Sequence, residues 1–92
     1  MALNAAYINH SWVPKLTIRH RDPALLALGK AIRSTRLSRD ISQEQLALRA
    51  EVDRSYVGRV ERGDNNVAIL TLMRLAAALD TPMWQLLRKA KL

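Results

Sequence analysis

The sequence predicts an all-α domain of five short helices, residues 24–92, preceded by an irregular N-terminal arm over residues 1–23. Apolar residues recur at helical spacing from Ala24 onward. Helix-start signals of the Asp-Pro, Ser-x-x-Gln and Thr-Pro type separate the periodic stretches, with short polar connections between them. A hydrophobic content of 49% with only 3 Gly and 3 Pro in 92 residues describes a globular chain rather than a disordered one. At this length there is room for one domain with one small core.

The arm shows no sustained helical period and is interrupted by Pro14 and Pro23. Within it, Trp12 to Arg19 has the β-branched character of a short edge strand, an alternative to irregular chain or disorder. From Ala24, Leu25, Leu28, Ile32 and Leu37 are spaced by three to five residues with Lys30, Arg33 and Arg36 between them. This is an amphipathic first helix ending near Leu37, with Asp22 as N-cap and Pro23 at its first position.

Ser42-Gln43-Glu44-Gln45 fits a capping box and opens a second helix to about Ala50, with Leu46, Ala47 and Ala50 inward. After a turn at Glu51-Val52, Asp53 is placed to cap a third helix through Arg62. Val57 and Val60 face inward and Gly63 provides the left-handed stop. A polar loop, Gly63 to Asn66, leads to a fourth helix over roughly Ala68–Leu79, whose inner stripe is Leu72, Leu75, Ala76 and Leu79. Thr81 is then expected to cap a fifth helix with Pro82 at its first position and a stripe of Met83, Leu86, Leu87 and Ala90.

The charge balance favours a polyanionic partner. Lys and Arg outnumber Asp and Glu by 15 to 8, for a net charge of +7. This suits nucleic acid or an anionic membrane surface. The surplus is uneven: residues 38–66 sum to −1, so placement of charge carries more information than its total. With 0 Cys there is no thiolate zinc site, disulfide or thiol nucleophile, as suits a reducing cytoplasm. No apolar run reaches the roughly 18 residues of a membrane span and no secretory leader is evident, so a cytoplasmic location is expected. No nucleophile elbow, phosphate loop or paired carboxylates suggest an enzyme, and no cofactor is expected. His10, His20 and Asp22 are the nearest approach to a metal site, but their uneven spacing on the arm argues against one.

Two short helices joined by a tight turn, the second bearing outward Arg, form a helix-turn-helix candidate. In that device the second helix enters the major groove, and Arg54, Ser55 and Arg59 are placed to read base edges. Residues Leu28 to Arg33, Ser42 to Ala47, Val57 to Gly63 and Leu72 to Leu79 together resemble the Cro/C1-type (XRE, lambda-repressor-like) helix-turn-helix domain. The resemblance spans about Ala24 to Leu87. Within that family, Asp53-Arg54-Ser55-Tyr56-Val57 and Glu61-Arg62-Gly63-Asp64-Asn65-Asn66 are similar to the controller proteins of restriction–modification systems.

The resemblance implies sequence-specific binding of double-stranded DNA. It assigns base contacts to Arg54, Ser55 and Arg59, a phosphate contact to Gln43 at the start of the second helix, and backbone contacts to Tyr56, Arg62, Asn65 and Asn66. It further implies a salt bridge between Arg36 and Glu61, which would neutralise an acid that otherwise repels phosphate. A domain this small makes few base contacts alone, so a homodimer on a roughly palindromic operator is expected, joined around the fourth and fifth helices with Met83, Trp84 and Leu87 as candidate contacts.

Several residues keep two readings. Gly58 either permits close approach of DNA or packs tightly against another helix. Tyr56 is a phosphate donor or a core-edge aromatic, and Trp84 is exposed for a partner or packed on the fourth helix. Ser42 acts as a cap. The tail Arg88-Lys89-Ala90-Lys91 solvates the chain end in preference to contacting phosphate. For the whole chain, the competing roles are an antitoxin that regulates its own promoter and masks a toxin, and a protein-interaction module that keeps the fold without binding DNA.

Overall fold

The computed structural model describes residues 22–92. The suggested strand at residues 12–19 and the two His residues of the arm lie outside them. Five helices follow in order, as expected: α1 Pro23–Ser38, α2 Gln43–Ala50, α3 Arg54–Glu61, α4 Ile69–Ala78 and α5 Met83–Lys89. They enclose one core whose fully buried side chains are Ile32, Leu46, Val57, Leu75, Leu79 and Leu86, with at least one from each helix or its immediate end. α2 packs on α3 and α4, while α1 packs on α3 and α5, so α3 is held from both sides. Among the described residues no helix is long and apolar enough to cross a membrane.

Local chemistry sets the boundaries. The Asp22 carboxylate accepts from the Ala24 N–H at 2.9 Å and Pro23 opens α1. The capping box of α2 is complete: the Gln45 N–H donates to Ser42 Oγ at 3.0 Å, and the Ser42 N–H donates to Gln45 Oε1 at 2.8 Å. α2 stops where Glu51 turns left-handed at φ 60°, and the Val52 N–H returns to the Ala47 carbonyl at 3.0 Å. Gly63, at φ 79°, turns the chain sharply just after α3.

Four expectations are corrected. Leu37 is 52% exposed rather than part of the inner stripe, because five residues from Ile32 rotate it about 140° around the helix. Asp53 has the extended backbone of an N-cap, but its side chain makes no capping hydrogen bond and is exposed. α3 ends at Glu61, and Arg62 is its C-cap rather than its last helical residue. Thr81 does not cap α5: Pro82 occupies the N-cap position, and the Thr81 hydroxyl donates to the Leu79 carbonyl at 3.0 Å. That hydroxyl also accepts from Arg39 Nη2 at 2.9 Å, tying the end of α1 to the α4–α5 connection.

Candidate nucleic-acid interface

The position of α3 depends on its inward side. Gly29 of α1 lies so close to the α3 backbone that a Cβ there would collide with the Val60 carbonyl oxygen and come within 2.7 Å of that of Glu61. Just beyond this crossing, Arg36 and Glu61 form the expected salt bridge, with Arg36 Nε 2.6 Å from Glu61 Oε2 and Nη2 donating to Oε1 at 3.0 Å. Both side chains are buried, at 8% and 2% exposure. Arg36 Nη1 also donates to the Ile41 carbonyl at 2.9 Å, so one guanidinium joins α1, the α1–α2 connection and α3. A two-pronged, charge-assisted pair of this kind fixes orientation as well as position.

Gln43 extends this network. Its side-chain Nε2 donates to Glu61 Oε1 at 3.0 Å, linking the start of α2 to the end of α3. The side chain expected to meet a phosphate is therefore already engaged on one side. Its remaining amide hydrogen and the N–H groups of the α2 N-terminus are the donors left for an anion.

On the outward side, Arg54, Ser55 and Arg59 are all exposed. The side chains of Arg54 and Ser55 make no hydrogen bond or ion pair among the described residues. Arg59 lies over the Tyr56 ring at 5.8 Å from its centroid, a cation–π arrangement that restrains a long side chain without using its donors. Tyr56 is half-buried against the core and has a side-chain hydrogen bond with Thr71. Burial raises the pKa of its hydroxyl, opposed by the Thr71 bond and by Arg59 and Arg74, so the group is a neutral phenol at neutral pH. This is the core-edge arrangement of the two considered.

Arg62 folds back against its own loop, with Nε 3.2 Å from Asp64 Oδ2. Asn66 is exposed and Asn65 half-exposed in the same loop, near the C-terminal end of α3. Gly58 is buried, but no backbone of another helix is among the near neighbours of its Cβ position, which are Arg62 Nη1 at 3.1 Å and Gln43 Oε1 at 3.9 Å.

The three candidate dimer residues divide. Trp84 is 61% exposed. Met83 and Leu87 instead pack partly against the core. The expected contact region around the fourth and fifth helices also includes α4 residues that the sequence reading did not name: Ile69, Leu70 and Met73 are 58%, 68% and 49% exposed. Their signal was an excess of apolar residues over what the inner stripe of α4 requires. The reading also missed the Gly29 crossing and the Gln43–Glu61 bond, both made between residues distant in sequence.

The known proteins most informative about this arrangement agree with it. The helix-turn-helix family model matches residues 32–83, which include the whole α2–turn–α3 unit. Control protein C.SmaI of Serratia marcescens is 44% identical over 62 residues, covering 67% of this chain and 74% of that protein. Among solved structures, the restriction–modification controller protein C.AhdI of Aeromonas hydrophila superposes with a TM-score of 0.67 at 44% identity, covering 67% of this chain and 94% of that one. The clp gene regulator ClgR of Corynebacterium glutamicum gives a TM-score of 0.74 at 28% identity, covering 77% of this chain and 76% of that one. With its family model matched over more than half its length and the helix pair in place, this chain belongs to the helix-turn-helix family of DNA-binding transcription regulators, which are not enzymes.

Proposed function

We propose that the chain is a sequence-specific regulator that inserts α3 into the major groove of a roughly palindromic operator as a homodimer. The observation that carries this reading is the contrast within α3. Its inward side is fixed by buried charge and close backbone packing, while Arg54 and Ser55 are exposed with donors that no other described residue uses. An Arg in that position can bridge guanine O6 and N7, worth about 1–3 kcal/mol of discrimination against the wrong base. Arg59 is a second reader, prepositioned by Tyr56. Gln43, Arg62, Asn65, Asn66 and, at the core edge, Tyr56 form the backbone-contacting set, which fixes register without reading sequence.

The homodimer reading is supported by the apolar surface of Ile69, Leu70 and Met73 together with Trp84, which water disfavours. Two copies place two α3 helices about one helical turn of DNA apart. Similarity to C.SmaI and C.AhdI favours a role in restriction–modification control.

Selection of bound sites from a random duplex library, followed by mobility shifts at two salt concentrations, tests the proposal. A two-fold-related consensus and an affinity that falls steeply with salt are expected. Arg54→Ala should relax selection at one position of each half-site by about 1–3 kcal/mol with melting unchanged. Absence of binding at low salt would leave a protein-interaction module instead. Sedimentation showing monomer at high micromolar concentration would overturn the dimer.

A further inference from the structure

Gly58 occupies the middle of α3, where glycine is an unfavourable choice for a helix. Gly58 is buried, yet its cover consists of side-chain ends rather than backbone. Unlike Gly29, whose missing Cβ makes room for another helix's backbone, Gly58 has only two side-chain ends near its Cβ position: Arg62 Nη1 at 3.1 Å and Gln43 Oε1 at 3.9 Å. Arg62 is four residues further on, on the same face of the helix axis, and helical side chains lean toward the N-terminus. Its guanidinium therefore folds back across the bare backbone at Gly58 toward Gln43.

Both side chains that border this notch are restrained from their far sides. Gln43 Nε2 is held by Glu61 Oε1 at 3.0 Å, and Arg62 Nε lies 3.2 Å from Asp64 Oδ2. Arg62 Nη1 and Gln43 Oε1 consequently flank one point in space, beside the α3 surface that bears Arg54 and Arg59. An Arg free to sweep through solvent would lose substantial rotamer entropy on gripping a phosphate, whereas a seated one loses less.

We propose that Gly58 is a positioning residue for DNA binding: by lacking a side chain it leaves room for the Arg62 guanidinium beside the α3 backbone, presetting that group to hold one backbone phosphate. The inference rests on the proposed DNA-binding function and adds to it a residue that never needs to touch DNA. A Cβ at position 58 would press on the far end of a flexible side chain, so the helix can accept it while the seat is lost.

The test compares wild type, Gly58→Ala, Arg62→Ala and the double variant, by thermal melting and by affinity for the selected operator duplex across a salt series. Gly58→Ala should melt higher by about 4–8 °C, because alanine is the better helix former, yet bind DNA about tenfold more weakly, the scale of one charged hydrogen bond. Arg62→Ala should weaken binding similarly and reduce the salt slope by about 1. In the Arg62→Ala background, Gly58→Ala should have no further effect. Wild-type affinity and salt slope in Gly58→Ala overturn the proposal, and so does an undiminished Gly58→Ala penalty in the Arg62→Ala background, which would mean that the added methyl meets DNA directly. If wild type itself fails to bind duplex at low salt, the underlying function falls instead.

Discussion

Gly29 and Gly58 are both buried beside α3, one beneath it in α1 and the other within α3 itself, but they are covered by different things. A Cβ at Gly29 would meet three backbone atoms of Val60 and Glu61, all closer than 3.0 Å, whereas at Gly58 the nearest atom is the tip of the Arg62 side chain. Beneath α3, backbone presses on backbone and a buried ion pair adds direction, so little can adjust. At Gly58 the covering atoms are the ends of the Arg62 and Gln43 side chains, which can shift where backbone cannot. The difference shows how a helix of 8 residues, too short to be stable alone, can present a fixed frame for adaptable readers.

The largest expected effect comes from removing the charge that fixes the frame. Glu61→Ala leaves the Arg36 guanidinium buried without its anion and should cost about 3–5 kcal/mol of folding stability, visible as a large drop in Tm. DNA affinity should fall with it, since α3 loses its orientation and Gln43 loses its anchor. The double variant Arg36→Met with Glu61→Leu should regain much of the stability, because no charge remains buried alone. Unchanged melting in Glu61→Ala would show that the pair contributes nothing to the frame.

Next comes a direct comparison of the glycines. Gly29→Ala should destabilise by about 2–3 kcal/mol despite the better helix propensity of alanine, because α1 and α3 must separate to admit the methyl. Gly58→Ala should do the opposite. Opposite signs in chemical denaturation would confirm the contrast between the two glycines. A stabilised Gly29→Ala would break it.

Much of this frame was legible in the sequence. The helix count, the Ser42 capping box, the turn after α2 and the Gly63 stop all follow from local signals that the backbone cannot easily override. Arg36–Glu61 was legible only through family resemblance, since no local rule pairs residues 25 positions apart. The close approach of Gly29 to α3 and the bond from Gln43 to Glu61 had no local signal, because both depend on how two helices cross. The fourth helix was legible as part of an expected contact region, but its exposed residues Ile69, Leu70 and Met73 were not, because a helical period marks the inner stripe and says nothing of which further apolar residues stay uncovered. Thr81 failed as a cap for a related reason. Arg39, 42 positions earlier, offers its hydroxyl a partner, and Pro82 has the dihedral angles to take the cap position itself.

The smallest effects distinguish the two helix starts within the motif, which looked equivalent in sequence. Ser42 accepts from the Gln45 N–H at 3.0 Å, and Ser42→Ala should cost about 1 kcal/mol, lowering Tm by several degrees. Asp53 stands at the same position relative to α3 but makes no side-chain cap bond, so Asp53→Ala should change stability by less than about 0.5 kcal/mol. Removing an exposed carboxylate beside Arg54 should also strengthen attraction to DNA, most visibly at low salt. The first turn of α3 would thus be held by the packing of Val57 and Val60 rather than by its cap, leaving Asp53 available to tune the surface that meets DNA. Equal stability losses in the two variants would show instead that Asp53 caps α3 in solution, and the outer end of the reading helix would then belong to the fixed frame.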